Sequence, residues 1–435
     1  MTAPNRVRSP SRPHVAMAAE PRLLPRLLPA YRGAGPVSLA DHLDRYGPPP
    51  APVRAERAEL IAEVELAGLA GRGGAGFPTA RKLAAVAARS NAVVVVNGTE
   101  GEPVSVKDKV LMAQSPHLVL DGAAAAAGLV GAREAIIVAH PAVADLLTAA
   151  CRERRRARID RVRLSVVPAA EAFVGGEASA VVHWLEHQIP KPTSKPRRLS
   201  ERGLHGRPTL VQNVETLAHL ALITRYGAAW FGAVGTPREP GSMLVTLAGA
   251  VRHPGVYEIE IGMPIGAVLD LAGGPSGPLG GLLVGGYFGG WVDAVQAADW
   301  PLSSEGLAGL GAGLGAGLIG ALPADVCGLA EAARIARYLA SESAGQCGPC
   351  VFGLDAIAGQ LERLASGRGP DLFALRRWIG QVGHGRGACK HPDGTVAMVA
   401  SALRTFGGEI ERHASGWCCG VPGRTSALTP LAWRW

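Results

Sequence analysis

Between residue 51 and about residue 235, short apolar runs alternate with longer amphipathic stretches. The uninterrupted run 92–96 and the runs 135–139 and 163–167 predict three buried strands, too short for helices and rich in β-branched residues. Between them, 118–131 and 141–156 read as helices, the second with Pro141 in the first turn, where a missing N–H costs nothing. A further helix is predicted over 54–70, broken by Gly71. Strands alternating with helices imply an α/β sandwich on a largely parallel sheet.

The pattern changes at Ser242. Runs 243–248 and 253–258 read as two strands joined by a turn, followed by a short helix at 265–271 and glycine-rich strands at 282–295. The uncharged run 306–322 is short for a membrane span and reads as a loop and a buried strand. After Pro323 the spacing is helical. Val326, Leu329, Ala330 and Ala333 stand at i, i+3, i+4 and i+7, as do Leu354, Ile357, Ala358 and Leu361, then Val396, Val399, Ala400 and Leu403. With a shorter helix at 372–379 these make a bundle. The expected division is a flexible, basic, proline-rich tail at 1–50, an α/β domain at 51–240, a β-rich module at 241–322 and a helical domain at 323–435.

Length supports this, since 435 residues exceed one ordinary core. The charge of +8 is modest, and the arginines around 6–32 and 152–158 carry no stacking aromatics or recognition motif, which argues against nucleic acid. The second cluster is either a solvated basic face or a docking site for an acidic electron-transfer partner. Seven cysteines, an odd number with close pairs near the C-terminus, argue for metal ligation in a reducing, cytoplasmic compartment rather than for disulfides.

Five segments carry candidate chemistry. The first, Gly71-Arg72-Gly73-Gly74-Ala75-Gly76-Phe77-Pro78-Thr79, lets backbone N–H groups crowd around a phosphate ahead of a helix N-terminus, with Lys82 one turn on as a cation. A plain glycine-rich turn is the alternative. The second, Asn97-Gly98-Thr99-Glu100-Gly101-Glu102-Pro103, follows a strand, where α/β sheets bind ligands. Its carboxylates either accept from ribose or carboxamide groups or are solvated. The pair Phe173-Val174-Gly175-Gly176-Glu177 and Gln212-Asn213-Val214-Glu215-Thr216 sets small or amide residues beside an acid. Finally, Cys347-Gly348-Pro349-Cys350 with Cys389 downstream suits an iron–sulfur cluster, a redox dithiol or buried thiols. Cys151 and Cys327 read as core, and His117 as a packing residue.

Taken together, the segments at 71–82, 97–108, 175–180, 208–217, 246–257 and 342–350 resemble the NADH-binding flavoprotein subunit of respiratory complex I and its relatives in NAD-linked hydrogenases and formate dehydrogenases. The resemblance covers roughly 60–410 and implies an FMN-binding α/β domain, a β-grasp (soluble-ligand-binding) module and a helical bundle with an iron–sulfur site. It implies FMN phosphate among Gly71, Gly73, Gly74 and Lys82. Asn97, Glu100, Gly176, Glu177, Gln212, Asn213 and Thr216 would line the flavin, with Glu102 toward NAD(H). Cys347, Cys350 and Cys389 would hold a 4Fe-4S or 3Fe-4S cluster, and a ferredoxin-like or thioredoxin-like iron–sulfur protein, in a larger redox complex, would be the partner.

The chain departs from the family pattern at Thr99, Val106 and Ala178, near 195–198, and at Ala344, where the family has the first cysteine of the cluster loop. These departures predict weak use of NADH and an incomplete cluster ligand set, with His384, His391, Cys418 and Cys419 as candidates for the fourth position. Rival readings are a non-catalytic electron-transfer or assembly subunit and a ligand-binding protein using the β-grasp module alone.

Overall fold

The computed structural model describes residues 24–29, 35–194, 197–415, 426–428 and 431. The four valines 93–96 are fully buried in β1 (Val93–Gly98), a central strand of a wholly parallel sheet. The sheet is completed by β2 (Glu134–Ala139), β3 (Arg163–Pro168) and β4 (Thr209–Asn213) in the order β3-β2-β1-β4. Helices cover both faces, so β1 reads as a continuous apolar run rather than an alternation. On one face the helix Pro116–Val130 meets the helix Val214–Phe231 so closely that a Cβ on Gly122 would stand 2.0 Å from the Leu217 carbonyl oxygen. The chain steps outward from β1 to β3 and then returns to β4 on the other side of β1. The carboxyl ends of β1 and β4, with Asn97 opposite Asn213, therefore form the crevice where open α/β sheets bind ligands.

A second, mixed sheet contains β5 (Ser242–Gly249), β6 (Gly255–Glu260), β7 (Leu279–Val284), β8 (Gly290–Val292) and β9 (Leu318–Pro323) in the order β6-β5-β9-β7-β8. It is tied to the first layer by Val106 N donating to Thr246 Oγ1 at 3.2 Å and Leu244 N donating to Glu215 Oε1 at 2.8 Å. The run 306–322 holds the end of a short helix, Ser304–Gly309, as well as the expected loop and strand. The C-terminal helices are Gly328–Ser341, Asp355–Ala365, Leu372–Val382 and His391–Thr405, with a π-turn at Pro349–Leu354 and a further helix at Gly407–Ala414.

Two expectations are corrected. The helix predicted over 54–70 is a 3-10 turn, Arg54–Glu56, followed by Arg57–Leu66, and it stops at Gly68 with φ +63°. Ala70 is thereby released to bridge Pro78 and close the glycine loop. The described parts of 1–50 do not form a flexible tail. Arg26 and Leu27 are buried, and their backbone N–H groups each donate to Glu258 Oε2 at 2.8 Å. The Arg26 guanidinium donates to the Phe231 and Trp230 carbonyls, and the helix Leu39–Tyr46 sets His42 against Asp121 at 2.8 Å. Composition misled here because an arginine that looks solvated in sequence serves as a buried donor to carbonyls. Among the described residues, no helix is long and apolar enough to cross a membrane.

Candidate functional site

A cavity of about 700 Å³ opens at the carboxyl ends of β1 and β4, and its walls come from three parts of the chain. Gly71, Gly73, Gly74, Lys82, Asn97, Glu100, Glu102, Gly176, Glu177, Gln212, Asn213 and Thr216 all line it, as does Cys389. The volume falls within the range of pockets that hold small molecules and cofactors.

The glycine loop is stapled at its base by Gly71 N donating to the Phe77 carbonyl at 3.0 Å and Thr79 N donating to the Leu69 carbonyl at 2.9 Å. Gly74 at φ +100° and Gly76 at φ +59° turn the chain as residues with a side chain rarely can. Arg72 N donates to Thr216 Oγ1, and the buried Arg72 guanidinium reaches the Ser242 carbonyl, so this arginine anchors the loop from behind. The amides of Gly73, Gly74, Ala75 and Gly76 meet no acceptor among the described residues, and the helix Thr79–Ala87 starts directly beyond them. Lys82 Nζ lies 3.5 Å from Gln212 Oε1 and faces no carboxylate among the described residues, while burial lowers its pKa. Gln212 Nε2 is buried and meets no partner among the described residues. Free amides, an uncompensated ammonium and an orphaned amide donor together suit an anion.

Most of the other polar residues shape the cavity rather than face it with free atoms. Glu100 accepts from Ser105 Oγ, Asp108 N and Lys109 N at 2.8, 3.0 and 2.8 Å, and thus braces the start of the helix Lys107–Gln114. Glu177 caps the helix Ala178–His187 by accepting from Ser179 N and Ala180 N. Asn213 caps the helix that follows it, and Asn97 Nδ2 donates to the Gly176 carbonyl at 2.8 Å. A Cβ on Gly176 would stand 2.9 Å from Thr99 Oγ1, so a side chain there would require Thr99 to shift. Beneath them Lys107 Nζ donates to Asp108 Oδ1 and Glu215 Oε2, both at 2.7 Å.

Glu102 is different. Its Oε2 accepts from Tyr287 N at 3.0 Å, its Oε1 has no partner among the described residues, and burial pushes its pKa up to about 8. A carboxyl raised from its ordinary 4.5 favours the folded state most below that value, and the advantage is lost as pH rises through about 8. Thermal melts should therefore show the wild-type Tm falling more between pH 6 and pH 9 than the Tm of Glu102→Gln, which mimics the protonated form. Parallel pH profiles would remove Glu102 from this role.

The structure brings to the cavity residues that sequence reasoning did not place there. Gly285, Phe288, Gly315 and Ala316 bring the second sheet's connections to the cavity, and Lys390, His391, Asp393 and Gly394 bring the helical part. Phe173, to which its motif assigned no role, packs on Phe288 at 4.9 Å, on His391 at 5.6 Å and on Tyr338 at 6.0 Å between ring centres. The four rings come from segments far apart in sequence, and the only local hint was the glycine pairs at 285–286 and 289–290. Val106, by contrast, is buried in the core and does not line the cavity.

Cys347, Cys350 and Cys389 lie together. The Cys350 thiol, in the π-turn, is pushed up to about 12 by burial and then by its neighbours Cys347 and Cys389. Among the described residues no three acidic, histidine or cysteine side chains converge on a single metal ion. A cluster needs no such convergence, because its thiolates each hold their own iron. Of the fourth-ligand candidates, His384 is exposed, and Cys418 and Cys419 lie outside the described residues. His391 is buried with Nε2 held 2.7 Å from the Leu339 carbonyl, and its Nδ1 meets no partner among the described residues. Cys327 is buried as expected, with its sulfur accepting from Ala330 N at the start of a helix, and Cys151 packs against the core.

Family models match three stretches: a Nuo51 FMN-binding domain at 64–222, an SLBB domain at 244–281 and an NADH-ubiquinone oxidoreductase-F iron-sulfur binding region at 330–413. The F subunit of NADH-quinone oxidoreductase from Mycobacterium tuberculosis (strain H37Rv) is 32% identical over 405 residues, covering 85% of this chain and 88% of the relative. The second of the F subunits of NADH-quinone oxidoreductase from Rhizobium meliloti (strain 1021) is 31% identical over 375 residues, covering 82% and 88%. Among solved structures, an NAD+-reducing [NiFe]-hydrogenase in the H2-reduced state superposes with a TM-score of 0.75 at 32% identity. That match covers 82% of this chain, which spans 62% of the length of the hydrogenase chain.

Proposed function

The chain belongs to the family of NADH-quinone oxidoreductase F subunits, and on that premise we propose that the cavity holds FMN, receives electrons from NADH and passes them to a cluster on Cys347, Cys350 and Cys389. It is an oxidoreductase subunit with an FMN-binding domain and a 4Fe-4S binding region. The observation that carries the residue assignment is the convergence of all twelve candidate side chains and glycines on one cavity that also touches Cys389. FMN supplies the conversion of a two-electron hydride into single electrons.

The residues present fit that group. The amides of 73–76, the helix beyond them and Lys82 form a phosphate cradle, and Gln212 Nε2 is a donor waiting for an acceptor. Asn97, Asn213 and Thr216, held by their own hydrogen bonds, give a rigid wall for a planar ring. Glu102 borders the space this reading gives to a nicotinamide nucleotide, and Phe173, Phe288 and His391 line the cavity together with Cys389. In this reading FMN belongs to 51–240, the β-grasp module at 241–322 lends a wall, and 323–435 carries the cluster. A ferredoxin-like or thioredoxin-like iron–sulfur protein receives the electrons in a reducing compartment, within a larger redox complex.

Anaerobic titration with NADH tests the proposal. Bleaching of a flavin band with NADH, one flavin per chain, is the expected result; a flavin that only dithionite reduces would support the rival reading of a subunit that no longer takes NADH. Ala178 lines the cavity where the family has a carboxylate, so a hydrogen bond to the nucleotide is missing there. Ala178→Glu should tighten NADH binding about five- to tenfold, the worth of one hydrogen bond of about 1 kcal/mol. Val106→Phe, in contrast, should affect packing and not binding, since Val106 is outside the cavity.

A further inference from the structure

One groove in this chain has two identical candidates for its occupant. Residues 21–29 run Pro-Arg-Leu-Leu-Pro-Arg-Leu-Leu-Pro, so the tetrapeptide 22–25 is repeated at once as 26–29, and a proline precedes each copy. The second copy is docked in the seam between the α/β domain and the second sheet. Glu258 Oε2, on β6, accepts from the N–H groups of Arg26, Leu27 and Leu28 at 2.8, 2.8 and 3.5 Å. The Arg26 guanidinium donates to the Phe231 and Trp230 carbonyls, both at 2.9 Å, and lies 4.0 Å from the centre of the Trp230 ring. Those carbonyls stand in the last turn of the helix Val214–Phe231, where a cation is favoured. Ser115 Oγ donates to the Leu27 carbonyl at 2.7 Å and Tyr46 Oη to the Arg26 carbonyl at 2.9 Å. Arg45 reaches the Pro25 and Leu28 carbonyls at 2.9 and 3.2 Å, and both leucines are buried.

None of these contacts reads which copy is present. Each engages a main-chain group, or an arginine or leucine side chain that also stands four residues earlier: Arg22 for Arg26, Leu23 for Leu27, Leu24 for Leu28. Even the carbonyl of Pro25 has its counterpart in that of Pro21. What differs is the chain that closes the gap to Val37, whose N–H is held by the Gln114 carbonyl at 3.0 Å. With the second copy docked, the seven residues 30–36 span it; with the first, the eleven residues 26–36 would do so. Loop-closure entropy grows only with the logarithm of length, so this difference favours the second copy by about twofold.

We propose that the groove holds either copy, in two registers four residues apart, and that the chain exchanges between them. The segment is then a sliding tether and not a fixed staple, a pair of states of similar free energy sharing one dock. Sliding to the first copy draws residues 1–20 toward the groove by four positions, about 14 Å of chain. The same length is released between the groove and the helix Leu39–Tyr46, so the slide changes the reach of the arginines that precede the repeat.

Amide hydrogen exchange on the full-length protein, resolved to single residues by mass spectrometry, tests this. An amide docked about two-thirds of the time is protected only about threefold, because the other register opens it. The wild-type amides of Arg26, Leu27 and Leu28 should show that low ceiling. Deleting residues 22–25 leaves one Pro-Arg-Leu-Leu-Pro copy with every contact intact, and should slow exchange of the docked amides at least tenfold. Arg22→Ala should slow Arg26, Leu27 and Leu28 in the same way. Arg26→Ala should move protection to residues 22–24, and Arg22→Ala/Arg26→Ala should remove it from both copies. Amides of β1 serve as the internal check that each variant is folded. The wild-type and single-copy proteins differ by no disruptive substitution, so their comparison decides the matter even where an arginine variant fails to fold. Equal protection in those two proteins would overturn the two-register reading, as would Arg26→Ala leaving residues 22–24 as open as the double variant does. Docked amides without protection in the single-copy protein would overturn it as well, since the groove would then hold neither copy.

Discussion

Gly74→Glu protein should come off the column colourless. Gly74 sits at φ +100° in the middle of the cradle, and any residue with a Cβ is strained there by about 1–3 kcal/mol. Space is not the obstacle, because a Cβ would stand 3.5 Å from the Gly315 carbonyl oxygen, an ordinary contact. Charge is the larger effect. A carboxylate about 5 Å from a doubly charged phosphate, at an effective dielectric of about 20, is opposed by about 7 kcal/mol. That exceeds a thousandfold in affinity. Gly74→Ala separates the causes: it carries the strain alone and should keep its colour, with FMN bound about tenfold less tightly by calorimetry, a loss of about 1–2 kcal/mol. Lys82→Met should fall between the two, losing about 2 kcal/mol of charge-assisted bonding. Stoichiometric FMN in Gly74→Glu would move the phosphate away from this loop.

The layout of this cradle was legible in the sequence because its signals are local. Consecutive glycines, a following helix and a strand ending in Asn97-Gly98 are short-range features, and the parallel sheet follows from apolar runs flanked by helices. What stayed hidden depends on distant contacts. Phe173, Phe288 and His391 meet only because the second sheet and the helical region fold over the crevice. Glu100 and Glu177 read as free acceptors, yet their own helix starts consume them, which no spacing reveals. Arg154 looked like part of a basic surface and is instead a fully buried partner of Asp121 and Asp160, at 2.8 and 2.7 Å. A side chain's type announces what it can bond to, and only the fold decides whether that capacity is spent inside.

In the cluster loop, Ala344 is buried and is followed by Gly345 at φ +64°, so the turn is kept while its first thiolate is missing. In the proposed site Cys347, Cys350 and Cys389 would hold three irons of a cubane, and the fourth would need a ligand other than these three. The His391 ring is held through Nε2 by the Leu339 carbonyl, so only Nδ1 is open to an iron, and His384 lies on the surface. Such an iron is the first to leave on oxidation. Protein purified in air should therefore show the paramagnetic signal of an oxidised three-iron cluster, and added ferrous iron with reductant should restore the four-iron form. Ala344→Cys should abolish the three-iron signal and lengthen the four-iron cluster's lifetime in air by about tenfold or more, as expected when an open position gains a thiolate. His391→Ala should alter the four-iron spectrum only if the imidazole turns to the iron; an unchanged spectrum leaves solvent in that place. A wild-type cluster that survives air as well as Ala344→Cys must have a fourth protein ligand. Cys418→Ser and Cys419→Ser then identify it, because whichever substitution brings back the three-iron signal has removed the thiolate that stood in for Ala344.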